Sequence, residues 1–151
     1  LGHGLSLACG LSLGYQLQGA FNRIYCVTSD GEWQEGSTWE ALIFAAHHRL
    51  SNLVILIDEN GFQGFGSTKD VASMNSLASK LAVFDIYISA INGHNHDELR
   101  EAITRIVDRP HIIVMKTIKG YGVKEFENRM ESHYLPLKED QYIAAIKQYR
   151  K

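Results

Sequence analysis

The chain of 151 residues carries a formal net charge of −2, with 45% hydrophobic and 21% charged residues, as expected of one globular domain large enough to bury a core. That balance offers no basic surface for nucleic acid or for an anionic membrane. Its two cysteines, Cys9 and Cys26, lie in apolar runs with no CxxC or Cys/His metal spacing, which predicts reduced, buried thiols in a cytoplasmic protein.

Residues 3–18 read as a helix rich in Gly and Ala. The segment is too short and too interrupted by glycine for a membrane span, and it has no basic leader of the kind a signal peptide carries. Ile24–Val27 opens a strand over 23–28, and Ser29-Asp30-Gly31-Glu32 follows it directly. Residues 36–49 read as a helix, with Trp39, Leu42, Ile43 and Ala46 at the spacing of one buried face. Leu53–Ile57 is a continuous apolar run, as in a strand buried on both faces, and Asp58-Glu59-Asn60-Gly61 follows it.

A Gly-rich loop is expected over 59–70 and a short helix over 73–82. Phe84–Ile91 reads as a strand. Asn92-Gly93 then turns the chain, and Asn95 or His96 can cap a helix over 97–108, with Asp97 and Glu98 well placed in its first turn. His111–Lys116 is another apolar strand. Lys119–Val123 begins a long irregular stretch to about 136, and a helix closes the chain over 137–149. Strands alternating with helices predict an α/β fold of three layers, a parallel sheet with helices on both faces. No linker or repeat divides residues 1–151, so a single domain is expected.

The polar residues concentrate after the first two strands. Asp30 and Asn60 stand at the tips of neighbouring parallel strands, where open α/β sheets bind ligands. Hard cations such as Mg2+ take oxygen ligands of this kind and keep phosphate oxygens in their shell. Each residue also has a plainer reading: Asp30 or Ser29 can cap the helix that follows, and Asn-Gly is a common turn.

Taken together, these motifs resemble the thiamine-diphosphate signature, and Glu35-Gly36, Trp39-Glu40-Ala41 and Gln63 resemble transketolase in particular. Leu1-Gly2-His3-Gly4-Leu5-Ser6, Gly93-His94-Asn95-His96, Lys116–Val123 and Glu127–Pro136 resemble further segments of that family. The likeness implies the thiamine-diphosphate-binding fold, lacking its extreme N-terminal segment. It implies that Asp30, Asn60 and the backbone carbonyl of Phe62 ligate Mg2+ or Ca2+. It adds Leu1, Gly2, Gly31, Glu32, Lys119 and His133 to the cofactor-binding set, with Leu1 packing on the thiazolium ring and His133 bonding the diphosphate.

Glu35 and Glu40, with His133, are the catalytic candidates. The two glutamates fit the carboxylates that link paired active sites in a dimer, and they equally suit a solvated helix start. The implied activity is transfer of a two-carbon ketol unit from a ketose or ketose phosphate to an aldose or aldose phosphate. The glutamate that activates the cofactor would come from a pyrimidine-binding partner subunit, in a homodimer or heterotetramer.

Other thiamine-diphosphate enzymes, such as a 1-deoxyxylulose-phosphate-synthase-like protein or a 2-oxo acid dehydrogenase component, share the metal loop, and a non-catalytic homologue would keep the fold. Departures from the family pattern are Ser29 for the first glycine of GDG, Glu59 for a common Asn or Asp, and Ser132 for a tryptophan. The family's upstream channel histidines have no counterpart. His47 and His48 read as structural at a helix end, His94 and His96 as turn and cap, and Trp33 as an interface or lid residue.

Overall fold

The computed structural model describes residues 1–74 and 76–149, without the side chain of Tyr149. Among these residues, four parallel strands form one sheet in the order β1 (Ile24–Ser29), β2 (Leu53–Glu59), β6 (His111–Lys116), β5 (Tyr87–Asn92). The register runs Ile24 to Leu53 and Ser29 to Asp58 between β1 and β2, and Val54 to His111 between β2 and β6. Strands β1 and β2 therefore end level with each other. The polar residues that follow both are delivered to one edge of the sheet.

The side-chain alternation of β2 sorts the layers. Leu53, Ile55 and Ile57 enter the larger core with Cys26, Ile112 and Val114. Helices α1 (Gly4–Leu17), α2 (Gly36–His47) and α4 (Leu77–Leu81) cover that face. Val54, Leu56 and Ile113 face the other way, against Ala102, Leu99 and Ile103 of α5 (His96–Thr104). Tyr25 and Val27 pair in register with Val54 and Leu56 on that second face, yet both are exposed. Helices thus flank the parallel sheet on both faces, as the alternation of strand and helix implied.

Several elements differ from expectation. In α2 the buried residues are Thr38, Ala41, Leu42 and Ala45, and Ile43 is exposed. The face is rotated because small Ala41 and Ala45 let α2 approach Ala8 and Cys9 of α1 in the shared core. The expected loop over 59–70 contains a small hairpin, β3 (Phe62–Gln63) paired with β4 (Gly66–Ser67), and a helical turn α3 (Thr68–Val71). The helix expected over 73–82 is observed as α4, and Asn75 lies outside the described residues. Phe84 belongs to the core rather than to β5, with its ring 6.1 Å from that of Trp39. The last helix, α6, spans Glu139–Tyr149.

Trp33 is a core residue and not a lid. It is fully buried, donates Nε1–H to Thr28 Oγ1 at 3.1 Å, and meets Trp39 edge to face at 5.3 Å. Both cysteines are free and buried. Burial, with Cys26 nearby, pushes the Cys9 thiol up to about 11. Asn95 is the helix cap, its side-chain oxygen accepting from Asp97 and Glu98 N–H.

His111 begins β6 fully buried. Its Nε2 lies 2.9 Å from Ser89 Oγ, and its Nδ1 has no partner among the described residues. Burial, with Arg23 and Arg105 nearby, pushes its pKa down to about 4.

Two outcomes follow from this core. Trp33→Ala removes a filled volume and the bond to Thr28, and should cost about 3–5 kcal/mol in urea denaturation. For His111 the folded value lies below the unfolded value of 6.5. Its contribution to stability is therefore complete above pH 6.5 and is lost as pH falls towards about 4. The slope should approach about 1.4 kcal/mol per pH unit within that window, and His111→Phe should remove this part of the pH dependence.

Candidate functional site

The site grows from the ends of β1 and β2. Ser29 Oγ accepts the Glu32 N–H at 3.2 Å, capping a short 3-10 turn over Asp30–Gln34. The departure at Ser29 is thus used locally as a cap. Asp30 opens the turn and is 2% exposed. Its Oδ1 accepts the Gly31 N–H at 2.9 Å. Its Oδ2 accepts the Gly61 N–H at 2.8 Å and the Thr68 hydroxyl at 3.3 Å. One carboxylate therefore joins the first loop, the second loop and the start of α3.

Burial raises the Asp30 pKa above its ordinary value; the bonds from Gly61, Gly31 and Thr68 oppose this, and the charge of Asp58 adds to it. Glu59 is raised as well, first by burial and further by Asp30, with Lys116 acting in the opposite direction. Asp30 thus feels the charge of Asp58 and Glu59 that of Asp30 at the strand ends, although among the described residues no three acidic or imidazole groups converge as a metal cluster. The hydrogen-bond donors to Asp30 are neutral. A buried carboxylate held only by neutral donors beside like charges is favourably placed to accept a cation.

Asn60 is fixed at both ends of its amide. Nδ2 donates to Asp58 Oδ2 at 2.9 Å, and Oδ1 accepts the Phe62 N–H at 2.9 Å. Gly61 then turns at φ 81°, a conformation that glycine adopts without strain. The Gly31 backbone presses against the hairpin: a Cβ there would come within 2.7 Å of Gln63 Cβ.

The remaining expected residues fall into two groups. Gly2 is buried at φ 77°. It donates its N–H to Glu32 Oε1 at 3.0 Å and accepts from Ser37 Oγ at 2.8 Å, so Gly2 and Glu32 join the same assembly. His133 sits in the 3-10 turn Met130–His133, and its Nε2 would lie 4.0 Å from a Cβ on Gly64 of the hairpin. Lys119 follows Thr117, whose hydroxyl bonds Asp58, and its carbonyl accepts the Asn128 N–H at 2.9 Å. Leu1 is exposed at 82%. Glu35 and Glu40 are exposed at the start of α2 and take no part in the hydrogen bonds around Asp30.

Asp58 and Thr117 lay inside segments that the sequence reading had singled out but were given no role there, and Thr68 was given none either. A signal existed for two of them, since Asp58 and Thr117 both stand at or just beyond strand ends on the carboxyl side. His94 also does more than turn the chain. Its Nε2 accepts the Ile118 N–H at 2.8 Å and its ring stacks on Tyr121 at 3.7 Å, tethering the loop that carries Lys119.

Residues 1–150 match the family described as transketolase, thiamine diphosphate binding domain. The chain is 36% identical to the 6-deoxy-6-sulfo-D-fructose transketolase subunit SqwG of Clostridium sp. (strain MSTE9), covering 100% of this chain and 56% of that protein. It is 34% identical to an apulose-4-phosphate transketolase subunit of Actinobacillus succinogenes, covering 99% of this chain and 55% of that protein. It therefore spans about half the length of these two relatives. Among solved structures, transketolase from Campylobacter jejuni superposes with a TM-score of 0.89 at 29% identity, over 98% of this chain and 25% of that one. With the fold and the match over nearly its whole length in agreement, the chain belongs to the transketolase family as a thiamine-diphosphate-binding domain.

Proposed function

We propose that this chain forms the metal and diphosphate half of a thiamine-diphosphate-dependent transketolase, which transfers a two-carbon ketol unit from a ketose or ketose phosphate to an aldose or aldose phosphate. One observation carries the reading: the Asp30 carboxylate bridges the two strand-end loops through Gly31 and Gly61 N–H, with the Asn60 amide fixed beside it. Carboxylate, amide oxygen and backbone carbonyl are the hard donors that Mg2+ or Ca2+ requires.

In this reading Asp30, Asn60 and the Phe62 carbonyl would hold the ion beside the diphosphate. Gly31, expected to donate to the diphosphate, gives its N–H to Asp30 Oδ1 at 2.9 Å, and its missing Cβ makes room for Gln63. Lys119 and His133 supply further donors to the diphosphate. Gly2 and Glu32 shape the loop that carries Leu1 to the cofactor ring. When bound, thiamine diphosphate supplies the electron sink needed to break and remake a carbon–carbon bond beside a ketone. The chain's own contribution is position and charge.

The matched relatives named as transketolase subunits support a partner that brings the pyrimidine-binding side. We infer that Glu35 and Glu40, both exposed at the start of α2, meet that partner in a homodimer or heterotetramer. Among the described residues no helix is long and apolar enough to cross a membrane. We assign the protein to the cytoplasm, where two free thiols persist.

Two measurements test this. Thiamine diphosphate with Mg2+ should raise the thermal midpoint, by an amount equivalent to about 2.7 kcal/mol at a hundredfold excess over Kd. Asp30→Ala should abolish that shift, and its absence in the unsubstituted protein, even with the partner subunit present, would overturn the reading. His133→Ala should weaken thiamine diphosphate binding by about 1.5–3 kcal/mol, the usual worth of a hydrogen bond to a charged group, as read by calorimetric titration.

A further inference from the structure

Asp58 has both carboxylate oxygens committed at the site. Oδ2 accepts from Asn60 Nδ2 at 2.9 Å, and Oδ1 accepts from Thr117 Oγ1. It lies near the end of β2, between Ser29 of β1 and Met115 of β6 in register. Its partners are thus the Asn60 side chain on its own loop and the threonine just beyond β6.

An asparagine side chain has two unlike ends. The oxygen can ligate a hard cation and the nitrogen cannot. Half a turn about the last bond exchanges them with little change of shape, so the shape of the surroundings does not select between them. Hydrogen bonding does. An ionised carboxylate only accepts, so Asp58 admits the nitrogen end of Asn60 and excludes the oxygen end. The oxygen is thereby turned to the Phe62 N–H at 2.9 Å, and a carbonyl oxygen with two lone pairs keeps one for a cation. Thr117 holds the other carboxylate oxygen, so the orientation of Asn60 is referred to β6, the strand that leads into Lys119.

We propose that Asp58 is a positioning residue: it locks the Asn60 amide with its oxygen towards the metal, and Thr117 holds it in that attitude. The inference rests on the reading that these two loops hold a metal and a diphosphate. It differs from a role for Asp58 as a nearby negative charge, because the bond it makes to Asn60 requires an acceptor and not a charge.

Mn2+ is a paramagnetic substitute for Mg2+, and its binding to the natural gene product with thiamine diphosphate and the partner subunit is read by electron paramagnetic resonance without turnover. Asp58→Leu removes the acceptor and should weaken Mn2+ about 10–100-fold, the usual consequence of losing an outer partner of a metal ligand. Asp58→Asn keeps an oxygen acceptor without the charge, and because the Phe62 N–H still holds Asn60 Oδ1 that oxygen meets Asn60 Nδ2, so this variant should recover most of that loss. If the leucine variant does not fold, Asp58→Ala replaces it with the same expectation. Affinity unchanged in Asp58→Leu, or equally poor in Asp58→Asn and Asp58→Leu, overturns the assignment of Asp58 alone. Absence of any Mn2+ binding that depends on Asp30 in the unsubstituted protein overturns the functional reading, and this inference with it.

Discussion

The Asp30 carboxylate, 2% exposed, is the constraint on which the site depends. A buried charge of this kind is costly unless donors compensate it, and here they come from Gly31, Gly61 and Thr68. Those donors belong to three successive pieces of chain: the turn after β1, the turn after β2 and the start of α3. A single side chain therefore fixes how the two loops stand to one another. The level ending of β1 and β2, set by the register from Ile24–Leu53 to Ser29–Asp58, is what brings those pieces within reach.

A second layer of bonds refers these loops to the rest of the sheet. Asp58 links Asn60 to Thr117 beyond β6, and His94 beyond β5 accepts from Ile118. Glu32 accepts the Gly2 N–H and Ser37 donates to the Gly2 carbonyl, holding that residue's backbone. Each strand of the sheet thus contributes, at or just beyond its carboxyl end, a polar group that holds a loop. The hydrophobic core beneath, with Trp33 filling the space between β1 and α2, supplies the rigid base that such a site needs. At the opposite end of the sheet, the buried His111 is a cost to stability in acid and takes no part in this assembly.

The alternation of apolar strands and helices was legible because it reflects a strong physical requirement. A strand buried on both faces, such as Leu53–Ile57, must be apolar throughout. That Asp30 and Asn60 stand just past the ends of neighbouring strands was legible because each closely follows an apolar β-branched run. On α2 the reading placed Leu42 and Trp39 correctly against the core but misplaced Ile43, because apolar spacing alone does not tell that Ala41 and Ala45 allow a closer approach. Trp33 was misread because its indole lies in the core only once the 3-10 turn after Asp30 swings it inwards.

By itself, then, the amino-acid sequence determined the α/β class, the neighbourhood in which β1 and β2 end and the residue types gathered there. These are local properties, set by hydrophobic period, turn chemistry and the cost of burying charge. Only the tertiary structure decided which donors satisfy Asp30, which end of the Asn60 amide faces Asp58, and that Thr68, Thr117 and His94 hold the loops. Those contacts join residues far apart in the chain, and their partners are chosen by strand register and the packing of helices on the sheet, which no local pattern encodes.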